Sequence, residues 1–139
     1  NLSKQGAVSI RVIYADTDAM GVVYHTNYIR WFEIGRTELM RDMGVVYAEL
    51  EKQDYHLPVT ELYCHYNSPA RYDQVVRVET RISYMRRASI RFEYEVWDQP
   101  REKLLVEGFS VHAFINGKGK IIRPPEDVAA KIKQGLAGA

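Results

Sequence analysis

The apolar residues between Asn27 and Met43 recur at the spacing of one face of an α-helix, with polar residues on the opposite face. The apolar positions are Tyr28, Trp31, Phe32, Gly35, Leu39 and Met43, and the polar ones include Arg30, Glu33, Thr37 and Arg41. The pattern predicts one amphipathic helix of roughly 25 Å at 1.5 Å rise per residue. Gly44 is placed to end it in a left-handed conformation, and Thr26 or Asn27 can cap its start.

Elsewhere the apolar period is two, which indicates strands. A first strand is predicted over residues 8–14, with Val8, Ile10, Val12 and Tyr14 on one face. Four more follow from Val59 onward, and their predicted core-facing sets are Leu62, Cys64 and Tyr66; Val76, Val78, Ile82 and Tyr84; Ile90, Phe92, Tyr94 and Val96; and Leu105, Phe109, Val111, Ala113 and Ile115. The connections between these four strands are too short for the crossover that parallel pairing requires, so the strands are expected to run antiparallel.

Short elements complete the prediction. Residues 45–53 favour a second helix, residues 120–123 a last half-strand, and residues 125–136 a terminal helix ended by the Gly-Ala tail. The expected architecture is α+β, with five or six antiparallel strands wrapped around the long helix.

The predicted outer face of the sheet is half apolar, because Val75, Trp97, Val106 and Phe114 lie there among charged residues. Such a surface commonly pairs with another subunit, so we expect a homo-oligomer.

Composition narrows the functional classes. A chain of 139 residues with 46 % hydrophobic content is expected to form one domain, residues 1–139. The net charge of +1 argues for neither nucleic acid nor membrane as a partner, and the longest non-polar run, residues 19–24, is far short of the ~18 residues of a membrane span. The single cysteine, Cys64, fits a reducing compartment, and a cytoplasmic location is expected.

Asp18 and His25 are the candidate catalytic residues, with Tyr14 at the end of the first strand. The sequence lacks a calcium loop, a nucleophile elbow, a zinc-binding pair and a phosphate-binding glycine loop. A carboxylate near the amide groups of a helix N-terminus can attack a carbonyl or activate water, while the amides stabilise the oxyanion. This combination suits acyl-transfer hydrolysis, although Asp18 could equally cap a turn and His25 could be structural.

One segment, residues 14–33, carries a family resemblance. Its matching residues are Tyr14, Asp16, Asp18, Gly21, Val22, Val23, Tyr24, His25, Asn27 and Tyr28, followed by Trp31-Phe32-Glu33. Together they resemble the signature of hotdog-fold thioesterases of the 4-hydroxybenzoyl-CoA thioesterase family. Within that family it is most similar to the acyl-CoA thioesterases associated with the Tol-Pal envelope system. The resemblance implies a helix lying in a curved sheet, dimers that form a continuous sheet with active sites at their interface, and homodimers or homotetramers.

By the same resemblance, Asp18 is the catalytic carboxylate, acting as nucleophile or as general base, and the backbone N–H near His25 polarises the thioester oxygen. The His25 side chain would position substrate or water, Tyr14 would flank the acid, and Asp16 would make a structural loop contact. Arg86 and Arg87 resemble a basic hairpin that binds the phosphates of coenzyme A, although a solvated hairpin tip is the plain alternative.

Two departures bear on the acyl group. Benzoyl-specific members carry a tyrosine where His25 stands and a proline where Ala19 stands, which favours a straight-chain acyl group. The expected activity is hydrolysis of short- to medium-chain acyl-CoA without metal or cofactor. The alternative is a binding module for acyl-CoA or acyl carrier protein with little catalysis; a dehydratase is disfavoured because its His-x-x-x-x-Pro-Gly motif is absent from the sequence.

Overall fold

The computed structural model describes residues 5–137, and within that range the chain forms one five-stranded antiparallel sheet and three α-helices. The strands are β1 (Gln5–Arg11), β2 (Val59–Tyr66), β3 (Val75–Met85), β4 (Ser89–Asp98) and β5 (Leu104–Ala113). The helices are α1 (Asn27–Asp42), α2 (Tyr47–Lys52) and α3 (Glu126–Ala137). The strand order is β1-β3-β4-β5-β2, so β1 and β2 are the edges. Residues 1–4 lie outside the described range, and so do residues 138–139, the Gly-Ala tail that was predicted to end α3.

α1 packs on one face of the sheet through the apolar stripe that its sequence predicts. Tyr28, Trp31, Phe32 and Leu39 are buried, and the ring of Phe32 stacks on Tyr94 of β4 with 4.2 Å between centroids. The helix approaches β3 closely at its middle, where a Cβ on Gly35 would overlap the Thr80 side chain. The long amphipathic helix is thus confirmed, whereas its enclosure by the sheet stays a prediction.

The two ends of α1 differ in how well local sequence predicts them. Gly44 has φ +87°, and the N–H of Val45 donates to Met40 O at 2.8 Å, which is the expected glycine-terminated helix end. The predicted start is wrong in its detail, because Thr26 has helical backbone angles and makes no side-chain capping bond. The Asn27 side chain donates to Asp16 O instead, at 2.8 Å.

β1 is as long as predicted but lies three residues earlier and ends at Arg11, after which residues 14–16 form a 3₁₀ turn with Tyr14 78 % exposed. Tyr14 therefore does not continue the core face of the strand. The predicted half-strand over residues 120–123 is reduced to an isolated bridge between Ile115 and Ile121.

The predicted core face of β5 is wrong by one residue. Val106, Gly108, Ser110 and His112 pair with the buried positions of β4 and share their face, so Phe109, Val111 and Ala113 face the other way. Val106 and Phe114, predicted to lie outside, are fully buried. Both faces of β5 carry apolar residues, so alternation alone could not identify the buried face.

The buried face of β5 carries a polar chain. The Tyr94 hydroxyl lies 2.6 Å from Ser110 Oγ, Ser110 Oγ lies 2.8 Å from His112 Nε2, and His112 Nδ1 lies 3.0 Å from Leu57 O. Because a carbonyl oxygen only accepts, His112 Nδ1 carries the proton and Nε2 accepts from Ser110. These bonds satisfy polar groups that burial would otherwise penalise.

Candidate active site

Asp16 is the residue that ties the loop after β1 to helix α1. Its side chain is buried, with Oδ2 accepting from the Ile13 N–H at 3.0 Å and Oδ1 from Arg30 Nη2 at 2.6 Å. Its carbonyl oxygen accepts from the N–H of Tyr24 at 2.9 Å and from the Asn27 side chain. The side chain and the carbonyl oxygen of Asp16 thus both accept hydrogen bonds that hold the loop together, as expected of a structural residue.

Asp18 begins a tight turn that closes at Gly21. The Gly21 N–H donates to Asp18 O at 3.0 Å, and Gly21 has φ +79°, a conformation that glycine adopts without strain. Asp18 Oδ1 accepts from the N–H of Met20 at 2.8 Å and, over a longer 3.4 Å, from that of Val22. Oδ2 has no hydrogen-bond partner within residues 5–137. One carboxylate oxygen is therefore held by the turn and the other is available.

The first turn of α1 presents free amide groups. The Asn27 N–H donates to Tyr24 O at 2.9 Å and the Ile29 N–H to Thr26 O at 3.1 Å. In the part of the chain that the structure describes, the N–H groups of His25, Thr26 and Tyr28 have no acceptor. Unused donors at a helix N-terminus, together with the positive end of the helix dipole, form a site for a negatively charged oxygen.

Asp18 and His25 line one open cleft of about 340 Å³, together with Tyr24, Tyr28 and Tyr66 and with residues 67–69 after β2. The His25 side chain is exposed, and its ring lies 4.5 Å from that of Tyr24. The structure thus brings together the acid, the histidine and the helix N-terminus that the sequence singled out.

Tyr14 is not among the residues that line the cleft. Its ring contacts Tyr72 edge to face at 5.9 Å, on the outer side of the loop. Within one chain it therefore flanks Asp18 in sequence without sharing the cavity.

Arg86 and Arg87 lie far from Asp18 of the same chain. The loop of Asp18 is bridged to Arg71, just before β3, whereas the two arginines follow the other end of that strand. Eleven residues of β3 at about 3.3 Å each place them roughly 30 Å away. They line a second cavity of about 320 Å³, to which Arg123 and Lys133 also contribute.

Tyr66 is the residue of the cleft that sequence reasoning missed. Its hydroxyl donates to His25 O at 2.8 Å, and burial raises its pKa far above the usual value. Burial also raises the pKa values of Tyr28 and Cys64, which lie beside it. The alternation of apolar residues placed Tyr66 on the helix side of β2. It did not show that Tyr66 contacts the loop around His25, because that loop is distant in the sequence.

Among residues 5–137, no three His, Cys, Asp or Glu side chains are grouped as they would be to hold a metal ion. Over the same range, no helix has the length and apolar character that crossing a membrane requires. The polar groups that line the cleft include a carboxylate, a histidine and helix amides.

The chain is similar to known proteins both in sequence and in structure. Residues 12–132 match the thioesterase-like superfamily. The acyl-CoA thioesterase YbgC of Haemophilus influenzae is 36 % identical over 124 residues, which cover 87 % of this chain and 89 % of that protein.

Two solved structures are also similar. A DHNA-CoA thioesterase from Staphylococcus aureus superposes with a TM-score of 0.87 at 29 % identity, over 97 % of this chain and 95 % of that one. The Thermus thermophilus protein TT1821 superposes with a TM-score of 0.86 at 32 % identity, over 93 % and 95 % of the two chains.

Proposed function

Because the chain is a thioesterase that belongs to the thioesterase-like superfamily, we propose that it hydrolyses acyl-CoA to a free acid and coenzyme A in the cleft of Asp18. The five antiparallel strands and long helix are those of hotdog-fold thioesterases. The observation that carries the proposal is the juxtaposition of the free Asp18 carboxylate oxygen with the unused amides at the start of α1.

The amide N–H groups around His25 would donate hydrogen bonds to the thioester carbonyl oxygen and stabilise the negative charge that develops on it. In the water route, Asp18 takes a proton from water, the water oxygen bonds to the carbonyl carbon, and the C–S bond breaks as the thiolate of coenzyme A leaves. In the nucleophile route, Asp18 displaces the thiolate itself and forms an anhydride, which water then cleaves. His25 would position the substrate or the water, and Tyr14 would flank the acid. Protein groups suffice for either route without a metal or cofactor.

The two routes differ in where the oxygen of water goes. In a single turnover in ¹⁸O-water, the water route places ¹⁸O in the released acid. The nucleophile route, with cleavage at the Asp18 side of the anhydride, leaves the acid unlabelled and labels the enzyme. Mass spectrometry of both products distinguishes them.

Arg86 and Arg87 are proposed to bind the phosphates of coenzyme A, assisted by Arg123 and Lys133 in the same cavity. Their distance from Asp18 of the same chain supports a site completed by a second copy. The edge strand β2 is open to such a copy, since Val59, Leu62 and Tyr63 are 48 %, 44 % and 49 % exposed. A homodimer, or a homotetramer of two dimers, is the proposed assembly.

The finer assignments rest on the resemblance of the 14–33 segment. We place the chain in the 4-hydroxybenzoyl-CoA thioesterase family near the Tol-Pal-associated subgroup, with a short- to medium-chain aliphatic acyl group. His25 and Ala19, in place of the tyrosine and proline of benzoyl-specific members, support that choice. A panel of thioesters that includes aromatic acyl groups and varies chain length tests it, and a preference for the aromatic ones would contradict it.

The central experiment is Asp18→Asn, which keeps the shape of the side chain and removes its charge. Following free thiol from an acyl-CoA, we expect kcat to fall by about 10²–10⁴-fold, the usual contribution of such a group. Asp42→Asn is the matched control, since Asp42 is exposed at the far end of α1. Unchanged turnover in the Asp18 variant would contradict the assignment. Tight acyl-CoA binding by the unmodified protein without thiol release would favour the binding module instead.

A further inference from the structure

Tyr66 joins the sheet to the catalytic loop at the point where the helix amides begin. It is the last residue of β2, and its hydroxyl donates to His25 O at 2.8 Å. Its ring also meets the rings of His25 and Tyr28 edge to face, at 6.3 and 5.6 Å between centroids. Both a hydrogen bond and ring contacts therefore hold the start of α1 against β2.

The backbone of Tyr66 is fixed by the sheet. It pairs with Val106 of β5, which is fully buried. The loop is held at other points by Asp16, whose carbonyl oxygen accepts from Tyr24 and Asn27, and by the N–H of Val23, which donates to Ala70 O at 2.9 Å. Among the described residues, the Tyr66 hydroxyl makes the hydrogen bond that links His25 itself to the sheet.

A hydrogen bond to this carbonyl acts on the neighbouring amide. The carbonyl of His25 and the N–H of Thr26 belong to one planar peptide group, so fixing the first fixes the direction of the second. Hydrogen bonds in a chain also polarise one another, which makes that N–H a stronger donor. Thr26 N–H has no acceptor among residues 5–137, and Thr26 directly follows His25, which lines the cleft.

We propose that Tyr66 is a positioning residue for the oxyanion site, holding the peptide between His25 and Thr26 in the orientation that the transition state requires. This role of Tyr66 rests on the proposed thioester hydrolysis, and it adds a residue that lies outside residues 14–33. A tyrosine hydroxyl is protonated at neutral pH, and partial burial raises the pKa of Tyr66 further, so this hydroxyl remains a donor.

The test is Tyr66→Phe, which removes the hydroxyl and keeps the ring. Tyr47→Phe is the matched control, since Tyr47 lies in α2, outside the cleft, and its hydroxyl has no hydrogen-bond partner among the described residues. We expect kcat of the Tyr66 variant to fall about 5- to 30-fold with KM within about twofold, because the oxyanion interaction develops in the transition state. The control should match the unmodified protein.

Two further measurements separate positioning from other roles. Deuterium uptake of a peptide covering residues 23–28 should become about fivefold faster in the Tyr66 variant, since one hydrogen bond of the loop is lost. The pH profile of kcat/KM should keep its shape, because Tyr66 acts through the backbone and exchanges no proton with substrate.

Full kcat and unchanged deuterium uptake in the Tyr66 variant would overturn this role and leave the proposed function intact. Loss of one limb of the pH profile would also overturn it, by making Tyr66 a direct acid. If the unmodified protein released no thiol from any acyl-CoA, the proposed function would fail first and this role with it.

Discussion

Protonation of His112 should destabilise the protein as the pH falls from 6.5 towards 4. His112 is 1 % exposed, and both of its ring nitrogens are hydrogen-bonded, Nε2 to the hydroxyl of Ser110 and Nδ1 to Leu57 O. Burial, opposed by the bond to Leu57 and reinforced by the nearby charge of Arg36, lowers its pKa from 6.5 to about 4. A second proton would sit on Nε2, facing a hydroxyl that already donates to it.

The sign follows from the two pKa values. Between pH 6.5 and 4 the unfolded chain binds a proton at His112 that the folded chain rejects, so the free energy of unfolding falls as pH falls. With 1.36 kcal/mol per pKa unit, the loss is about 3 kcal/mol in full and about 2 kcal/mol between pH 7 and pH 5. Glu79, whose pKa is lowered chiefly by its bond to Arg101, adds a loss of the same sign, but only as pH falls below its usual 4.5.

Urea unfolding at pH 7 and pH 5, at one fixed protein concentration, measures this difference. His112→Gln keeps a donor and an acceptor without a titrating ring, so its stability at pH 7 should be lower but should change less towards pH 5. His65→Gln is the control, since His65 is exposed on β2. If the unmodified protein were equally stable at both pH values, or if the His112 variant kept the full slope, the reasoning would be refuted.

Three other outcomes are expected. Gly35→Ala should lower the free energy of unfolding by about 1–3 kcal/mol in urea titrations, because the added methyl group overlaps the Thr80 side chain; a neutral effect would mean that helix and sheet separate at little cost. Asp16→Asn should weaken the ion pair between the buried Asp16 and the half-exposed Arg30, speed deuterium exchange of the loop and lower kcat, and normal exchange would contradict this. Arg87→Ala should raise KM for acyl-CoA about tenfold with kcat unchanged and leave hydrolysis of a short thioester lacking the nucleotide unaffected; equal loss on both substrates would argue against phosphate binding.

Much of the architecture was readable from local pattern. The period of 3.6 residues predicted α1 with its buried face, and Gly44 predicted how that helix ends. The period of two, with short connections, predicted antiparallel strands. Asp18 and His25 were found from residue types before a helix N-terminus, and the structure places both in one cleft.

Contacts between distant segments were decided only in the tertiary structure. Alternation shows which residues of β5 share a face, but Val106 and Phe109 are both apolar, so only pairing with β4 determines which of them is buried. Likewise the bond of Tyr66 to His25 joins residues 41 positions apart, and the separation of Arg86 from Asp18 is set by the length of β3. A sequence period is a local property of the backbone, whereas a partner across the sheet is selected by the packing of the whole chain.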